Sequence, residues 1–173
     1  LEDPLINSLL REALDLRSQV GATDKMADTL NSLGALKQKQ KAYKDSESYF
    51  AKSLEVRMQL PESFGHKEKQ QAVAQSLTSL GTLYVEIGDG AANGASKGRP
   101  EYERALDYLK RAKVAYEQGF STGHPKVAWA IEGIANVLRK VGQLREAQEM
   151  VDEVISIRMK LQQEGGGKAL FSK

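Results

Sequence analysis

The chain has 173 residues, no cysteine and two histidines, His66 and His124. That excludes a disulfide framework, a thiolate metal site and a cysteine nucleophile, and leaves too few imidazoles for a multi-histidine centre. A net charge of +2 is too small a field to gather nucleic acid or an anionic membrane, and no run approaches the ~18 apolar residues that would span a bilayer.

Helical periodicity dominates and strand signals are nearly absent, which makes the fold class all-α. Seven helices are predicted. The first covers 5–20. The second covers 24–39, with an apolar stripe through Leu30, Leu33 and Leu36, and the third 43–60, with Phe50, Leu54 and Met58 on one face. The fourth covers 68–87, striped by Leu77, Leu80 and Leu83. A glycine-rich stretch, Asp89–Pro100, interrupts the chain before the fifth helix, 101–118. The sixth covers 125–140. The seventh, 143–163, carries Val151, Val154 and Ile157. Pro4, Pro61, Pro100 and Pro125 each fall where a helix starts or has just ended, as a residue without an amide proton must. Residues 164–173 contain Gly165–Gly167 and lack periodicity, and are expected to be a flexible tail. Beginning at Leu1 without methionine or a basic-then-apolar leader, the chain reads as a fragment of a longer protein.

Self-comparison shows the organisation. Ala27-Asp-Thr-Leu-Asn-Ser-Leu-Gly34, Ala74-Gln-Ser-Leu-Thr-Ser-Leu-Gly81 and Ala128-Trp-Ala-Ile-Glu-Gly-Ile-Ala135 share one pattern, a small residue following aliphatics at helical spacing. A second motif reads Leu14-Asp-Leu-Arg17, Leu54-Glu-Val-Arg57 and Ile155-Ser-Ile-Arg158, with Lys113-Val-Ala-Tyr116 a poorer fit. Gly34 to Arg57 and Ala135 to Arg158 are both 23 residues, whereas Gly81 to Tyr116 is 35, and the 12 residues of Asp89–Pro100 account for the excess. The units are helix pairs at 24–60, 68–118 (with the insertion 89–100) and 125–163, preceded by the second helix of an earlier pair, 5–20. Neither helix of a pair can bury its apolar face alone, so the pairs must stack into a right-handed superhelical solenoid spanning 1–163.

At this point the residues resemble the tetratricopeptide repeat. Leu30, Leu33, Gly34, Phe50 and Ser53 match its pattern in the first pair, with Ser46 where the family usually has alanine. Leu77, Leu80, Gly81, Tyr84, Gly88, Ala105, Leu109 and Ala112 match in the second, and Ile131, Ile134, Ala135, Leu138, Gly142, Ala147, Val151 and Val154 in the third. Units near 42 residues, Arg57 and Arg158 closing second helices, and the loop Gly123-His124-Pro125 are similar to kinesin-light-chain-type repeats, with Gly65-His66-Lys67 a partial match. The resemblance implies a non-enzymatic, cytoplasmic scaffold that binds a peptide segment of a partner protein in a concave groove, without a cofactor or a metal and without nucleic acid or membrane partners.

The family register places Asp28, Asn31, Ala35 and Gln38 on the concave face, then Gln75, Thr78, Thr82 and Val85, then Trp129, Glu132, Asn136 and Arg139. Amide side chains can bond a peptide backbone without reading its side chains, and an aromatic beside them can anchor one. Trp129 reads either as that anchor or as packing against the neighbouring pair. The family's clamp for acidic C-terminal tails needs Lys, Asn and Arg on adjacent first helices; Asn31, Ala35, Thr78, Ser79 and Thr82 stand at the corresponding positions and the cations are missing. Asp89–Pro100 fails as a phosphate loop, since its lysine follows serine and a helix precedes it; its composition suggests a flexible surface loop. His66 and His124 sit in inter-pair loops, where His124 orients the turn. Lys37, Lys39, Lys41 and Lys44 complement a helix C-terminus. Two other readings stay open: a structural or self-association module using exposed terminal helices, motivated by Leu5, Leu9 and Leu10, or a regulatory domain attached to an enzyme elsewhere in a parent chain.

Overall fold

The structure is a computed structural model that describes the backbone of residues 4–19, 23–91 and 98–170 and the side chains of 8–17, 23–91 and 98–163. Among the described residues it contains seven α-helices: α1 (Pro4–Gln19), α2 (Thr23–Lys39), α3 (Tyr43–Met58), α4 (His66–Ala91), α5 (Arg99–Gly119), α6 (Pro125–Lys140) and α7 (Leu144–Leu170), with one 3-10 turn at Glu62–Phe64. Each helix packs on the next in sequence, and α2 also touches α4, as α4 touches α6. The first helices of successive pairs therefore lie side by side along one face, an all-α solenoid of antiparallel hairpins. No described helix is long and apolar enough to cross a membrane.

The small residues hold the pairs together. A Cβ placed on Gly34 would lie 2.5 Å from the Phe50 ring, and one on Gly81 would lie 2.7 Å from Leu109. Close approach of this kind lets Leu30, Leu33, Leu77, Leu80 and Leu83 bury almost completely, each stabilising the fold by about 1.5–3 kcal/mol relative to exposure. Polar side chains complete the seams. Ser46 donates to the Gly34 carbonyl at 2.8 Å, and Ser53 to that of Ala27 at 2.8 Å. The position expected to hold alanine thus carries a hydroxyl with a buried job.

The three intra-pair turns diverge. After α2, Lys41 takes a left-handed conformation (φ 58°) while the Ala42 amide bonds the Lys37 carbonyl at 3.0 Å. After α6, Gly142 (φ 85°) does the same and the Gln143 amide bonds Leu138 at 2.9 Å. Both satisfy the carbonyls a helix end leaves open. Gly88 holds the same register but stays helical, and α4 runs on to Ala91. Here the missing Cβ admits Tyr102: a Cβ on Gly88 would lie 2.6 Å from its ring, and Gly98 (φ 94°) backs against the Gly88 carbonyl. Both flanks of the insertion are thereby packed, where a wholly flexible loop over Asp89–Pro100 is the expectation from composition; 92–97 lie outside the described residues. Tyr102 donates to Asp89 at 2.7 Å and Lys140 donates to the same oxygen at 2.6 Å. Burial acts to raise the Asp89 carboxyl, but the Lys140 and Tyr102 bonds and the lysine charge together hold it below its ordinary range. Burial and Asp89 push the Tyr102 phenol up to about 12.

The backbone also differs from expectation at the C-terminus. Residues 164–170 continue α7 as helix, whereas the glycines there predict an aperiodic tail; 171–173 lie outside the described residues. In the last inter-pair loop, His124 caps α6, its Nδ1 accepting from the Lys126 amide at 3.1 Å, with Pro125 in the first turn. Its ring stacks on Phe120 at 3.8 Å. Such a cap supplies one of the acceptors a helix N-terminus lacks.

Candidate functional site, the concave face

The side-by-side run of α2, α4 and α6 divides into two hollows. The first, of about 280 Å³, lies between α4 and α6 and is lined by Thr78, Thr82, Val85, Leu109, Trp129, Glu132, Gly133 and Asn136. Trp129 is 48% exposed, so it is neither buried packing nor a free surface ring. The Lys126 ammonium lies 6.0 Å from its ring centroid, within cation–π range. Leu109 forms part of the lining because α6 comes close to α5 at Gly133, where a Cβ would meet Leu109 at 3.3 Å. The rim is polar. Asn136 accepts a bond from Arg139 at 3.1 Å through Oδ1, which leaves its amide group for a ligand. The Thr82 hydroxyl donates to the Ser79 carbonyl at 3.0 Å and keeps acceptor capacity. Glu132 pairs with Arg158.

Six of the twelve residues placed on this face by register meet here: Thr78, Thr82, Val85, Trp129, Glu132 and Asn136, with Arg139 at the edge. Thr78 is a qualified member. Its side chain is 3% exposed and its hydroxyl donates to the Ala74 carbonyl at 2.8 Å, so it lines the hollow without offering a free donor.

The second hollow, about 420 Å³, includes Asp24, Asp28, Arg57, Gln71, Gln75, Tyr116 and Lys126. Here Asp28 and Gln75 are already engaged. Arg57 is 1% exposed, and its guanidinium donates to Asp28 at 2.6 Å, to Gln75 at 3.1 Å and to Ser76 at 2.8 Å. A buried cation needs such partners, because an unpaired one costs several kcal/mol. Burial pushes the Tyr116 phenol up, with the Thr78 hydroxyl and the Arg57 charge acting the other way. Gln38 is likewise engaged: it donates to Glu86 at 2.6 Å, alongside Tyr43 at 3.1 Å. The Oδ1 of Asn31 is buried without a partner.

Sequence register therefore identifies which face a residue occupies but misses two members of the first hollow, Leu109 and Gly133. Leu109 lies on a second helix, outside the first-helix positions from which the face was read. Gly133 is flanked by Glu132 and Ile134, and only the approach of α5 gives it a role. Among the described residues no three acidic or histidine side chains gather into a metal cage.

Residues 26–60 match the family model for the tetratricopeptide repeat. No curated protein sequence matches the chain significantly. Among solved structures, BtubC (BKLC) from P. vanneervenii is similar in fold, with a TM-score of 0.67 at 20% identity over 90% of this chain and 56% of that one. A kinesin light chain structure with nearly identical TPR-like repeats, from Podosopora anserina, gives a TM-score of 0.56 at 14% identity over 90% of this chain and 67% of that one. The chain spans little more than half the length of the first of these. Residues 26–60 are thus similar to a tetratricopeptide repeat, and the described chain shares the fold of these solved helical-repeat structures. Tetratricopeptide repeats in general mediate protein–protein interaction.

Proposed function

We propose that the chain is a non-enzymatic interaction module that holds a peptide segment of a partner protein in the hollow between α4 and α6. The observation carrying this reading is the pairing of chemistries at one place. Leu109, Val85 and the face of Trp129 offer an apolar seat, while Asn136 and Thr82 stand at its rim with unused bonding capacity. A hollow of about 280 Å³ accepts one aliphatic or aromatic side chain of an extended segment. The rim then bonds the segment's backbone. Convergent polar groups around an apolar seat are the usual form of a ligand site. The hollow at Arg57 serves the reading less well, since its amide and carboxylate groups are engaged by the guanidinium.

The test is selection from a displayed peptide library against the chain, with affinities of the selected peptides then measured on variants. Trp129→Ala is expected to weaken binding by about thirtyfold or more, the scale of an aromatic anchor. Gly133→Leu, which crowds the seat where a Cβ would already meet Leu109 at 3.3 Å, is expected to abolish it, with thermal unfolding checking that the packing of α5 on α6 survives. Selected peptides that bind both variants as tightly as the original chain would sink the reading.

A further inference from the structure

The second helices line the side of the solenoid away from the concave face. Each packs on the first helix that follows it and not on the next second helix: α3 and α5 flank α4, and α5 and α7 flank α6. Two gaps result, and they are closed differently. Between α5 and α7, Lys113 donates to Glu153 at 2.9 Å and lies 3.8 Å from Glu117 of its own helix, so ion pairs bridge the gap. Counted from Arg57, Tyr116 and Arg158, the counterparts of Lys113, Glu117 and Glu153 between α3 and α5 are Leu54, Met58 and Arg111. The bridge is replaced there by two apolar side chains and a cation.

This gap is tied at one end and open at the other. At the Pro100 end, the Tyr84 hydroxyl of α4 donates to Glu47 of α3 and accepts from Arg104 of α5 at 3.1 Å. At the other end lies a hollow of about 380 Å³, floored by Val73 and Leu77 of α4 and walled by Met58 and Val114. Met58 and Val114 are 55% and 51% exposed. Their exposure owes nothing to a chain end, since α2 and α6 stand in place on either side. Lys110 and Arg111 are at the rim. Arg111 lies 5.6 Å from the Tyr108 ring centroid and pairs with Asp107 at 3.2 Å, one turn away on the same helix, an exposed pair of small worth. Lys110 has no carboxylate partner among the described residues. Neither cation meets an acid across the gap, as Lys113 does in the closed one.

We propose that this hollow docks a segment of a partner protein that carries two aliphatic side chains and a carboxylate. The aliphatic pair fills the space over Val73 and Leu77 and covers Met58 and Val114, removing apolar surface from water. The hollow has room for two such side chains where the concave one, at about 280 Å³, takes one. The carboxylate meets Lys110 and Arg111, supplying across the gap the charge that Glu153 supplies to Lys113. Two cations against Asp107 alone leave the rim positive, which selects against a basic segment. The floor is a different face of α4 from the one that carries Thr78, Thr82 and Val85, so this surface is separate from the concave site.

The test is selection from a displayed random peptide library against the chain carrying Trp129→Ala, which removes the anchor of the concave hollow and makes the outcome independent of that site. Selected peptides are expected to combine aliphatic and acidic residues, and fluorescence anisotropy measures their affinities. Met58→Glu and Val114→Lys place charges of opposite sign at exposed positions, with circular dichroism checking helicity. Each should weaken binding about tenfold or more, because a charge of either sign spoils an apolar seat. Lys110→Glu should weaken it about fivefold, and that loss should vanish for a peptide whose acidic residues are changed to amides. No selected peptide, peptides rich in lysine and arginine, or affinities unmoved by Met58→Glu and Val114→Lys would each overturn the proposal. So would a concentration-dependent dimer in sedimentation that Met58→Glu dissolves, since a second copy would then fill the hollow.

Discussion

Arg57 and Arg158 close the second helices of the first and third pairs, and in sequence their surroundings are close to interchangeable. Each follows an aliphatic stripe and each reaches back to a carboxylate on its own first helix. One is buried and holds three helices together; the other stands in solvent. The carboxylates stand at different register positions, Asp28 six residues before Gly34 and Glu132 three before Ala135, and Arg57 also donates to Gln75 and Ser76 of α4. Burial here belongs to the pair of neighbours, and stability should distribute the same way, as a sum of unit and interface contributions.

The sharpest way to break that comparison is to remove each arginine. Arg57→Ala is expected to cost about 3 kcal/mol, the lower end for a buried pair because Asp28 is half exposed and can be rehydrated. Arg158→Ala should cost no more than about 0.5 kcal/mol. Urea unfolding followed by circular dichroism measures both, and equal effects would show that the arginines do not differ in context after all.

A second contrast lies at the close approach of the two helices within each pair. Gly34 faces Phe50, whereas Ala135, which carries a Cβ, stands where the partner position is Val151. Gly34→Ala should cost about 1–3 kcal/mol through overpacking. Most of that cost should disappear in a Phe50→Val background, and a double-mutant cycle reads the coupling. Additivity would mean that the ring yields easily and the pairing is not a matched one.

The turns offer a third contrast, of modest size. Lys41 and Gly142 make the same left-handed turn, one with a Cβ and one without. Lys41→Gly should stabilise by about 1 kcal/mol and Gly142→Ala should destabilise by a similar amount, with opposite shifts in Tm.

Most of the fold was legible because periodicity and the repeated small residue are local features. The 23-residue interval from Gly34 to Arg57 and from Ala135 to Arg158 located the pairs without any knowledge of contacts. The edges were less legible where a distant side chain decides. Gly88 looks like a helix end by analogy with Gly142, yet α4 continues through it with the ring of Tyr102 packed against it. Gly165–Gly167 likewise suggested a break where α7 runs on. On the concave face, position named the residues but not their availability. Asp28 and Gln75 are polar and correctly spaced, yet a buried guanidinium from another helix has claimed both. Spacing within one helix carries no record of such a claim.

The clamp at Asp89 has a further consequence. Tyr102 and Lys140 fasten the end of α4 to α5 and to α6, while Gly98 rests on the Gly88 carbonyl. The chain leaves and re-enters the solenoid at points already tied to each other and to the following pair. Length added between Ala91 and Gly98 is then expected to cost about 0.6 kcal/mol per doubling in loop closure, between ends that the clamp holds in place. That makes the position a port for grafted sequence, anchored at both ends by contacts of the solenoid itself.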